Sequence, residues 1–344
     1  MRRHAWQNGW ATAAAVAGTL VLGMAGANPS VAARPSRTTL AFAASSSTGG
    51  ANHFLLRRAG RYIQIVDVDT HRVLRERLFA STAAVSIDGA NGPADNTLTV
   101  EFSRGSLAVP GGIAFDGGRG GYNTLALHGG RFARQQNTAT GPHSGLLVLD
   151  GTRIRYSDIA PINDLTPTAE YTLNVAAESI NVNVIDGPNL GGTQTTQLND
   201  GGSSSFELAN VANKARITVN VLSGRDTLIV NNPNPAQGLT EITLGGVERE
   251  STEFDVLATA VPLNIIGRSA DTANVGMGKL AGILAPVTVT DPLNFIALNV
   301  DDSADPTGRT ASITTDGTAD TVSGLGPSVV TAPAIDLSSL AVSA

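Results

Sequence analysis

Short runs of alternating residues dominate this sequence: a branched apolar residue is followed by Asn, Thr or Ser, and Gly, Pro or Asp separates one run from the next. A period of two residues is that of a β-strand with one apolar and one polar face. The clearest runs are Ile180–Val184, Ile217–Val221, Leu263–Ile265, Val287–Val289 and Leu298–Val300. Apolar residues at helical spacing are rare, so the sequence predicts an all-β chain in which helix is a small minority.

The segment from Tyr62 to Phe79 admits two interpretations. Val73 to Phe79 is the best helix candidate in the chain. It fits equally well as the return strand of a hairpin whose first strand is Tyr62 to Val68 and whose turn is Asp69-Thr70.

A unit of Asp or Asn, then Thr, then an apolar residue recurs along the chain. Its copies are Asn96-Thr97-Leu98, Asn123-Thr124-Leu125, Asp226-Thr227-Leu228, Asp271-Thr272-Ala273 and Asp320-Thr321-Val322. The first two are 27 residues apart, which suits one coil of a β-solenoid, and the last three are 45 and 49 residues apart, which suits two. A small polar side chain can bond to the backbone at a tight corner before a strand begins. The recurrence favours a parallel β-helix (β-solenoid), with β-sandwich modules as the alternative.

The start of the chain is typical of an export signal. Met1-Arg2-Arg3-His4 is basic and is followed by small and apolar residues from Ala11 to Ala27, so residues 1–32 are expected to be a signal peptide cleaved after Ala27 or Ala32. A membrane anchor is the alternative, but the segment is rich in Ala and Gly and shorter than the ~20 strongly apolar residues of a span. No later stretch is apolar enough to span a bilayer, so no transmembrane segment is expected after signal removal.

The rest of the chain divides by composition. We expect a flexible linker at residues 33–51, rich in Ser, Thr, Ala and Gly, and a disordered tail at residues 331–344. Between them the sequence predicts an N-terminal β module with a hairpin and the first coils at residues 52–140, and solenoid repeats at residues 141–330.

Charge and cysteine content exclude several classes of protein. The chain has no cysteine, which excludes disulfide scaffolds, thiol catalysis and Cys-ligated metals. Residues 156–344 carry 7 basic and 21 acidic residues, so nucleic acid is a poor partner for that part of the chain. Lysine occurs only at positions 214 and 279, which we interpret as a composition bias without functional content. The basic stretch Arg57–Arg61 fits a solvated edge that blocks strand addition better than a docking site for anionic polymers.

Catalytic motifs are not found in the sequence. The histidines beyond the leader, His53, His71, His128 and His143, lack metal-ligand spacing and are expected at the surface. Gly-x-Ser-x-Gly, P-loop and dinucleotide motifs do not occur, and both tryptophans lie in the first ten residues. We therefore expect no enzyme activity and no catalytic residues. A polysaccharide lyase is the alternative, because such chemistry needs only an Arg or Lys base and acidic metal ligands, and parallel β-helices host it.

Calcium is the one cofactor for which the sequence offers candidates. Glycine-aspartate repeats bind calcium, and Gly117–Leu125 is distantly similar to the haemolysin-type repeat, but Tyr122 stands where the ligand Asp belongs. Asp301, Ser303 and Asp305 imitate the start of a calcium loop. Pro306 replaces the usual Gly and no closing Glu follows, so weak calcium binding at these three residues is the most that the sequence predicts.

Several motifs also resemble those of one group of proteins. They are Asp95–Val100, Pro110–Gly118 and Tyr122–Leu125, and, later in the chain, Asn213–Pro233, Leu280–Val287 and Leu298–Asp305. These stretches are similar to repeat modules of large bacterial surface proteins, especially those of planctomycetes and cyanobacteria. The resemblance covers most of residues 60 to 330 and implies an extracellular right-handed parallel β-helix, adhesin-like, without established catalytic residues.

The expected function follows from these observations together. We expect a secreted or cell-surface structural and adhesive module whose polar outer faces contact a polysaccharide or another cell-surface polymer, with no cofactor apart from the weak calcium candidate. A polysaccharide-processing, lyase-like β-helix and a calcium-binding β-roll are the alternatives.

Overall fold

The computed structural model describes residues 37–45, 50–177 and 179–344, and the expected signal peptide lies outside them. The described strands are β1 Thr38–Ala43, β2 Asn52–Ala59, β3 Tyr62–Asp67, β4 Val73–Leu78, β5 Thr82–Asp88, β6 Asn96–Glu101, β7 Ile113–Asp116, β8 Thr124–His128, β9 Phe132–Gly141, β10 Ser144–Leu149, β11 Thr152–Ser157, β12 Ile162–Asp164, β13 Thr168–Val175, β14 Asn181–Leu190, β15 Thr193–Asn199, β16 Ala209–Val211, β17 Lys214–Val221, β18 Thr227–Asn232, β19 Glu241–Gly245, β20 Glu253–Thr259, β21 Leu263–Ile266, β22 Thr272–Val275, β23 Val287–Thr290, β24 Ile296–Asp301, β25 Ser312–Thr315, β26 Ala319–Ser323, β27 Val330–Pro333 and β28 Leu337–Ser343. The same residues contain three short 3-10 helices, at Phe79–Ser81, Leu280–Gly282 and Ala334–Asp336, which confirms the all-β prediction.

The strands form two long sheets, which the chain visits in turn. Sheet A has the order β1-β5-β7-β11-β10-β9-β13-β17-β19-β21-β23-β27-β26-β25. Sheet B has the order β28-β24-β22-β20-β18-β14-β15-β16-β12-β8-β6-β2-β3-β4. From β17 to β24 the chain places one strand in sheet A and the next in sheet B, and every pairing between these strands is parallel. This parallel stacking is consistent with the predicted β-solenoid.

Within the part of the chain that the structure describes, antiparallel strands interrupt the stack at four places. The chain doubles back within one sheet at β2–β4, β9–β11, β14–β16 and β25–β27. At β2–β4, the strand Val73–Leu78 pairs antiparallel with Tyr62–Asp67, so the hairpin interpretation of this segment is confirmed and the helical one is wrong. The other detours were not predicted.

Alternation along each strand decides which side chains are buried. In β17, Ile217, Val219 and Val221 are buried, whereas Thr218 and Asn220 are half-buried on the outer face. The inward residues of both sheets form one hydrophobic core. Each fully buried Val, Leu or Ile contributes about 1.5–3 kcal/mol, so stability rests on these inward rows.

The recurring polar unit lies at corners where strands of sheet B begin. Asn96 opens β6, and its Nδ2 donates to the carbonyl oxygens of Ala90 (3.0 Å) and Gly117 (2.8 Å) and to Oδ1 of Asn123 (3.0 Å). Asn123, just before β8, donates in turn to the carbonyl oxygen of Gly118 at 2.8 Å. The predicted side-chain bonding at corners is confirmed, and it links one coil to the next.

The spacing of the later copies is confirmed only in part. Thr227 is the register partner of Glu253, and Glu253 that of Thr272, so two coils separate the copies at Asp226 and Asp271. The copy at Asp320 does not lie at such a corner. It falls inside β26, which pairs antiparallel with β25, because a detour replaces the regular coil there.

The segment boundaries expected from composition differ from those of the structure. Residues 38–43 of the expected linker form β1, which pairs in parallel with β5 and buries Leu40 in the core. The expected tail at 331–344 contains β28, which pairs in parallel with β24 and packs Leu340 and Val342 against the core. Low-complexity composition concealed these apolar positions. The boundary expected after residue 140 falls within β9, which ends at Gly141 and pairs with β10.

Candidate functional site

Two of the three predicted calcium ligands, Asp301 and Asp305, accept hydrogen bonds from neighbouring backbone N–H groups. The Asp301 carboxylate accepts the backbone N–H of Ser303 at 3.0 Å, and Asp305 accepts that of Thr307 at 2.8 Å. Hydrogen bonds from Ser303 and from Thr307 lower the pKa values of Asp301 and Asp305, respectively. Arg309 Nη2 lies 3.1 Å from the second oxygen of Asp305. The described residues contain no group of three or more His, Cys, Asp or Glu side chains arranged to hold a metal ion, and calcium binding remains a prediction.

A row of polar side chains, all of them hydroxyls except the amide of Asn264, crosses the outer face of sheet A, and we call it the threonine ladder. It consists of Thr172, Thr218, Thr243, Asn264, Thr288, Thr331, Thr321 and Thr314, each the register partner of the next. Thr314 is exposed and the other seven are half-buried. Neighbouring strands are about 4.7–4.9 Å apart, so the ladder presents polar groups at a fixed, short repeat.

Charged residues flank one end of the ladder. Glu170 accepts from Arg216 Nη2 at 2.6 Å and from Arg134 Nε at 3.2 Å, and the Arg216 contact lowers the pKa of Glu170. Glu241 is the register partner of Arg216 and accepts from Asn264 of the ladder at 2.9 Å. The face therefore offers hydroxyls beside ionised groups, which are the donors and acceptors that bind sugar hydroxyls.

Sheet B carries a comparable row of amides, but they bond to one another. Asn183 donates to Asn199, Asn199 to Gln197, Gln197 to Asn210 and Asn210 to Asn163, at 2.8 to 3.0 Å. Because each amide donates to the next, fewer polar groups are free to bind a ligand than along the threonine ladder. The outer faces of the two sheets thus differ in what they offer a polymer.

A shallow depression of about 520 Å³ lies on the outer face near the other end of sheet A. Asp88 and Asp116, register partners on β5 and β7, line it together with Arg155 of β11. The sequence analysis missed this group, although Ile87-Asp88-Gly89 and Phe115-Asp116-Gly117 repeat an apolar-Asp-Gly unit one coil apart. Two acids and an arginine are the kinds of group that lyase chemistry uses.

His143 makes the one histidine contact with a buried acid that we find in the described residues. Its Nδ1 lies 2.8 Å from Oε2 of Glu207, whose side chain is 5% exposed. Burial raises the pKa of Glu207, and the Glu207 hydrogen bond raises the pKa of His143. The imidazole itself is exposed, as predicted for the histidines, and this pair fixes the turn between β9 and β10.

None of the described residues forms a helix with the length and apolar character needed to cross a bilayer. No protein-family model matches this chain, and no match is found among curated proteins or solved structures. Function therefore has to be argued from the geometry of the faces described above.

Proposed function

We propose that this protein is a structural and adhesive module of the cell exterior that binds a polysaccharide or a similar polymer along the threonine ladder. The in-register row of hydroxyls on sheet A is the observation that carries this proposal. Its backbone is fixed by strand pairing on both sides, so a polymer that binds there does not have to order the protein first. Many weak contacts along one chain add up to avidity.

Other features support an exported solenoid. The leader at residues 1–32 favours export, and the stacked parallel strands favour a β-helix. We infer a right-handed coil, because connections between parallel strands of one sheet are right-handed in the great majority of proteins. The resemblance to bacterial surface-protein repeats also supports a location at the cell exterior and a structural and adhesive role.

Retention on insoluble polysaccharides tests the binding proposal. The purified protein is mixed with cellulose, chitin and peptidoglycan, and the bound fraction is measured. We expect retention on at least one polymer and a loss of about tenfold in affinity in Thr243→Lys/Thr288→Lys, since two lysines interrupt the ladder and each 1.4 kcal/mol corresponds to tenfold. Thr97→Lys/Thr272→Lys, on the outer face of sheet B, is the matched control and should bind normally. Equal binding by both variants, or no retention by the unaltered protein, would contradict the proposal.

A second candidate function is a polysaccharide lyase, and the Asp88, Asp116 and Arg155 group favours it. In that mechanism the two carboxylates would hold a cation against the carboxylate of an acidic sugar. Arg155 would remove the proton beside that carboxylate, and the bond to the neighbouring sugar would break as a carbon–carbon double bond forms. Incubation with pectin, alginate and chondroitin in excess calcium, followed by the absorbance of unsaturated products, decides the matter. A signal lost in Arg155→Gln but kept in Arg153→Gln would establish the enzyme. No signal would leave binding as the function.

Weak calcium binding at Asp301, Ser303 and Asp305 is tested by thermal unfolding. A ligand that binds the folded state raises its melting temperature. An unchanged melting temperature in excess calcium would exclude a stabilising site there.

A further inference from the structure

A lysine and an aspartate meet in the interior, between the two sheets. Lys214 opens β17 in sheet A, and Asp164 ends β12 in sheet B. Their side chains are 0% and 1% exposed, and Lys214 Nζ lies 2.8 Å from Asp164 Oδ1. Charged side chains are almost never fully buried unless they are paired, so this contact calls for a role.

Hydrogen bonds from the surrounding groups hold the Lys214 amine and the Asp164 carboxyl group in place. Lys214 Nζ also donates to the carbonyl oxygen and to Oγ1 of Thr166, at 2.5 and 2.9 Å. The Thr166 hydroxyl donates to Asp164 Oδ1 at 2.6 Å, and the Gln135 amide donates to Oδ2. The aromatic ring of Tyr171, itself 1% exposed, lies 5.9 Å from Nζ. The amine and the carboxyl group are thus held in contact, with hydrogen-bond donors on both carboxyl oxygens.

Burial also shifts the Lys214 amine towards its neutral form. Burial lowers the pKa of Lys214, against the opposing effect of Asp164. A neutral amine is a nucleophile, whereas an ammonium ion is not. Burial therefore makes the nucleophilic form more accessible than it is for a lysine in water.

We propose that Lys214 and Asp164 form an intramolecular amide bond that joins the two sheets through the interior. A proton first passes from the Lys214 ammonium to the Asp164 carboxylate, which gives an amine and a carboxylic acid. Nζ then attacks Cγ, and the donors on Oδ1 and Oδ2 stabilise the negative charge that develops. The Cγ–OH bond breaks, and the hydroxyl leaves with a proton from Nζ as water. One amide bond forms, one water is released, and neither oxidant nor reductant is needed.

The fixed contact between the Lys214 amine and the Asp164 carboxyl group should make amide formation fast. Reacting groups that are held together can behave as if they were present at about 10⁵–10⁸ M. The bond closes a loop between residues that are 50 positions apart, so it restrains the unfolded chain as a disulfide does. The chain has no cysteine, and this bond gives it a covalent link that does not depend on redox conditions.

Intact mass spectrometry of the denatured protein tests the bond directly. We expect a mass lower by one water molecule than the mass calculated for a chain with the same N-terminus. Tandem mass spectrometry of a digest should find a branched peptide that joins the Asp164 and Lys214 segments. A mass equal to the calculated one would overturn the proposal.

Aspartates that precede glycine also lose water when they form succinimides, and the chain has six such sites, at positions 88, 116, 150, 186, 200 and 316. Hydroxylamine opens a succinimide and leaves an amide intact, so the mass deficit should survive that treatment. It should be absent in Lys214→Arg and present in the matched Lys279→Arg. A deficit that persists in Lys214→Arg, or that hydroxylamine abolishes, would overturn the proposal. If Lys214→Arg does not fold, the branched peptide in the unaltered protein decides.

Discussion

Two regions of the molecule bury their interiors in different ways. From β17 to β24 the strands follow one another without a detour, and the inward row Val219, Leu244, Ile265 and Val289 is apolar and 0% exposed. From β9 to β16 antiparallel strands interrupt the stack. The interior there contains polar residues that are as deeply buried, including Gln135, Asn137, Asp164, Thr166 and Thr168, together with Lys214 at the boundary of the two regions.

The difference shows what each kind of interior requires. A regular coil needs an apolar residue at every second position of its strands, and any branched residue of suitable size meets that need. Its buried polar residues, such as Asp226 and Asp271, lie at the corners. The interrupted coils depend on specific partners: Tyr156 donates to Asn137 at 3.0 Å, and Asp164 contacts Lys214. A buried polar group lowers stability unless it is hydrogen-bonded. Substitutions in the interrupted coils should therefore cost more stability than substitutions in the regular coils.

The largest expected effect tests the interrupted region. Lys214→Met removes the proposed amide bond and leaves the Asp164 carboxylate buried without a cation, which should lower the free energy of unfolding by at least about 3–5 kcal/mol. The double variant Lys214→Met/Asp164→Leu should recover part of that loss, because no charge is then left unpaired. Urea unfolding measures both. A single variant within about 1 kcal/mol of the unaltered protein would mean that the pair does not control the stability of this region.

The regular region is tested by substituting two neighbouring residues, one that faces the interior and one that faces the solvent. Val219→Asn places an amide in the dry interior and should cost about 3 kcal/mol, from lost apolar burial and an unsatisfied polar group. Asn220→Ser, one residue away on the outer face, should cost less than about 1 kcal/mol. Equal costs in urea unfolding would show that the assignment of faces is wrong.

A substitution at a corner between two strands should have an intermediate effect on the free energy of unfolding. Asn96→Ala removes the donor to the carbonyl oxygens of Ala90 and Gly117 and the acceptor for the Ala90 N–H, all of them buried. We expect a loss of about 2 kcal/mol in the free energy of unfolding. Asn91→Ala, in the same corner but exposed, is the control and should change it little. If thermal unfolding does not separate the two variants, the corner bonds do not link the coils energetically.

The smallest expected effect is the pH dependence of stability that arises from His143 and Glu207. The pKa values of His143 and Glu207 are both raised in the folded protein, so the folded state holds these protons more tightly than the unfolded chain does. The contribution of His143 is fully present at pH values below the ordinary pKa of histidine, and it is lost as the pH rises through the raised pKa of His143. Because His143 is exposed, we expect less than about 1 kcal/mol. The melting temperature should fall more with rising pH in the unaltered protein than in His143→Gln, and identical profiles would contradict this assignment.

Sequence reasoning succeeded where one local rule decides the structure. Alternation placed Val219 inward and Asn220 outward, and the polar unit placed Asn96 at a corner, because each result depends on neighbours along the chain. It failed where partners are distant in sequence. Lys214 was interpreted as a trace of composition, since its partner Asp164 is 50 residues away, and the threonine ladder needs a register that no single strand specifies. Apolar residues in low-complexity stretches, such as Leu40 and Leu340, were missed for want of a long enough alternating run.

The central claim is that strands β13, β17, β19, β21, β23 and β27 of sheet A stack in parallel and in register, so that Thr218 and Thr243 are direct neighbours. A pair of cysteines tests it without background, since the chain has none of its own. In Thr218→Cys/Thr243→Cys the Cα atoms should be about 4.8 Å apart, within the range of a disulfide, and mild oxidation should join them. In Thr218→Cys/Glu241→Cys the offset of two residues places the Cα atoms about 8 Å apart, which is too far. Rapid crosslinking of the first pair and not of the second is the predicted result. The reverse, or no difference between them, would contradict the stacked register on which the proposed binding face depends.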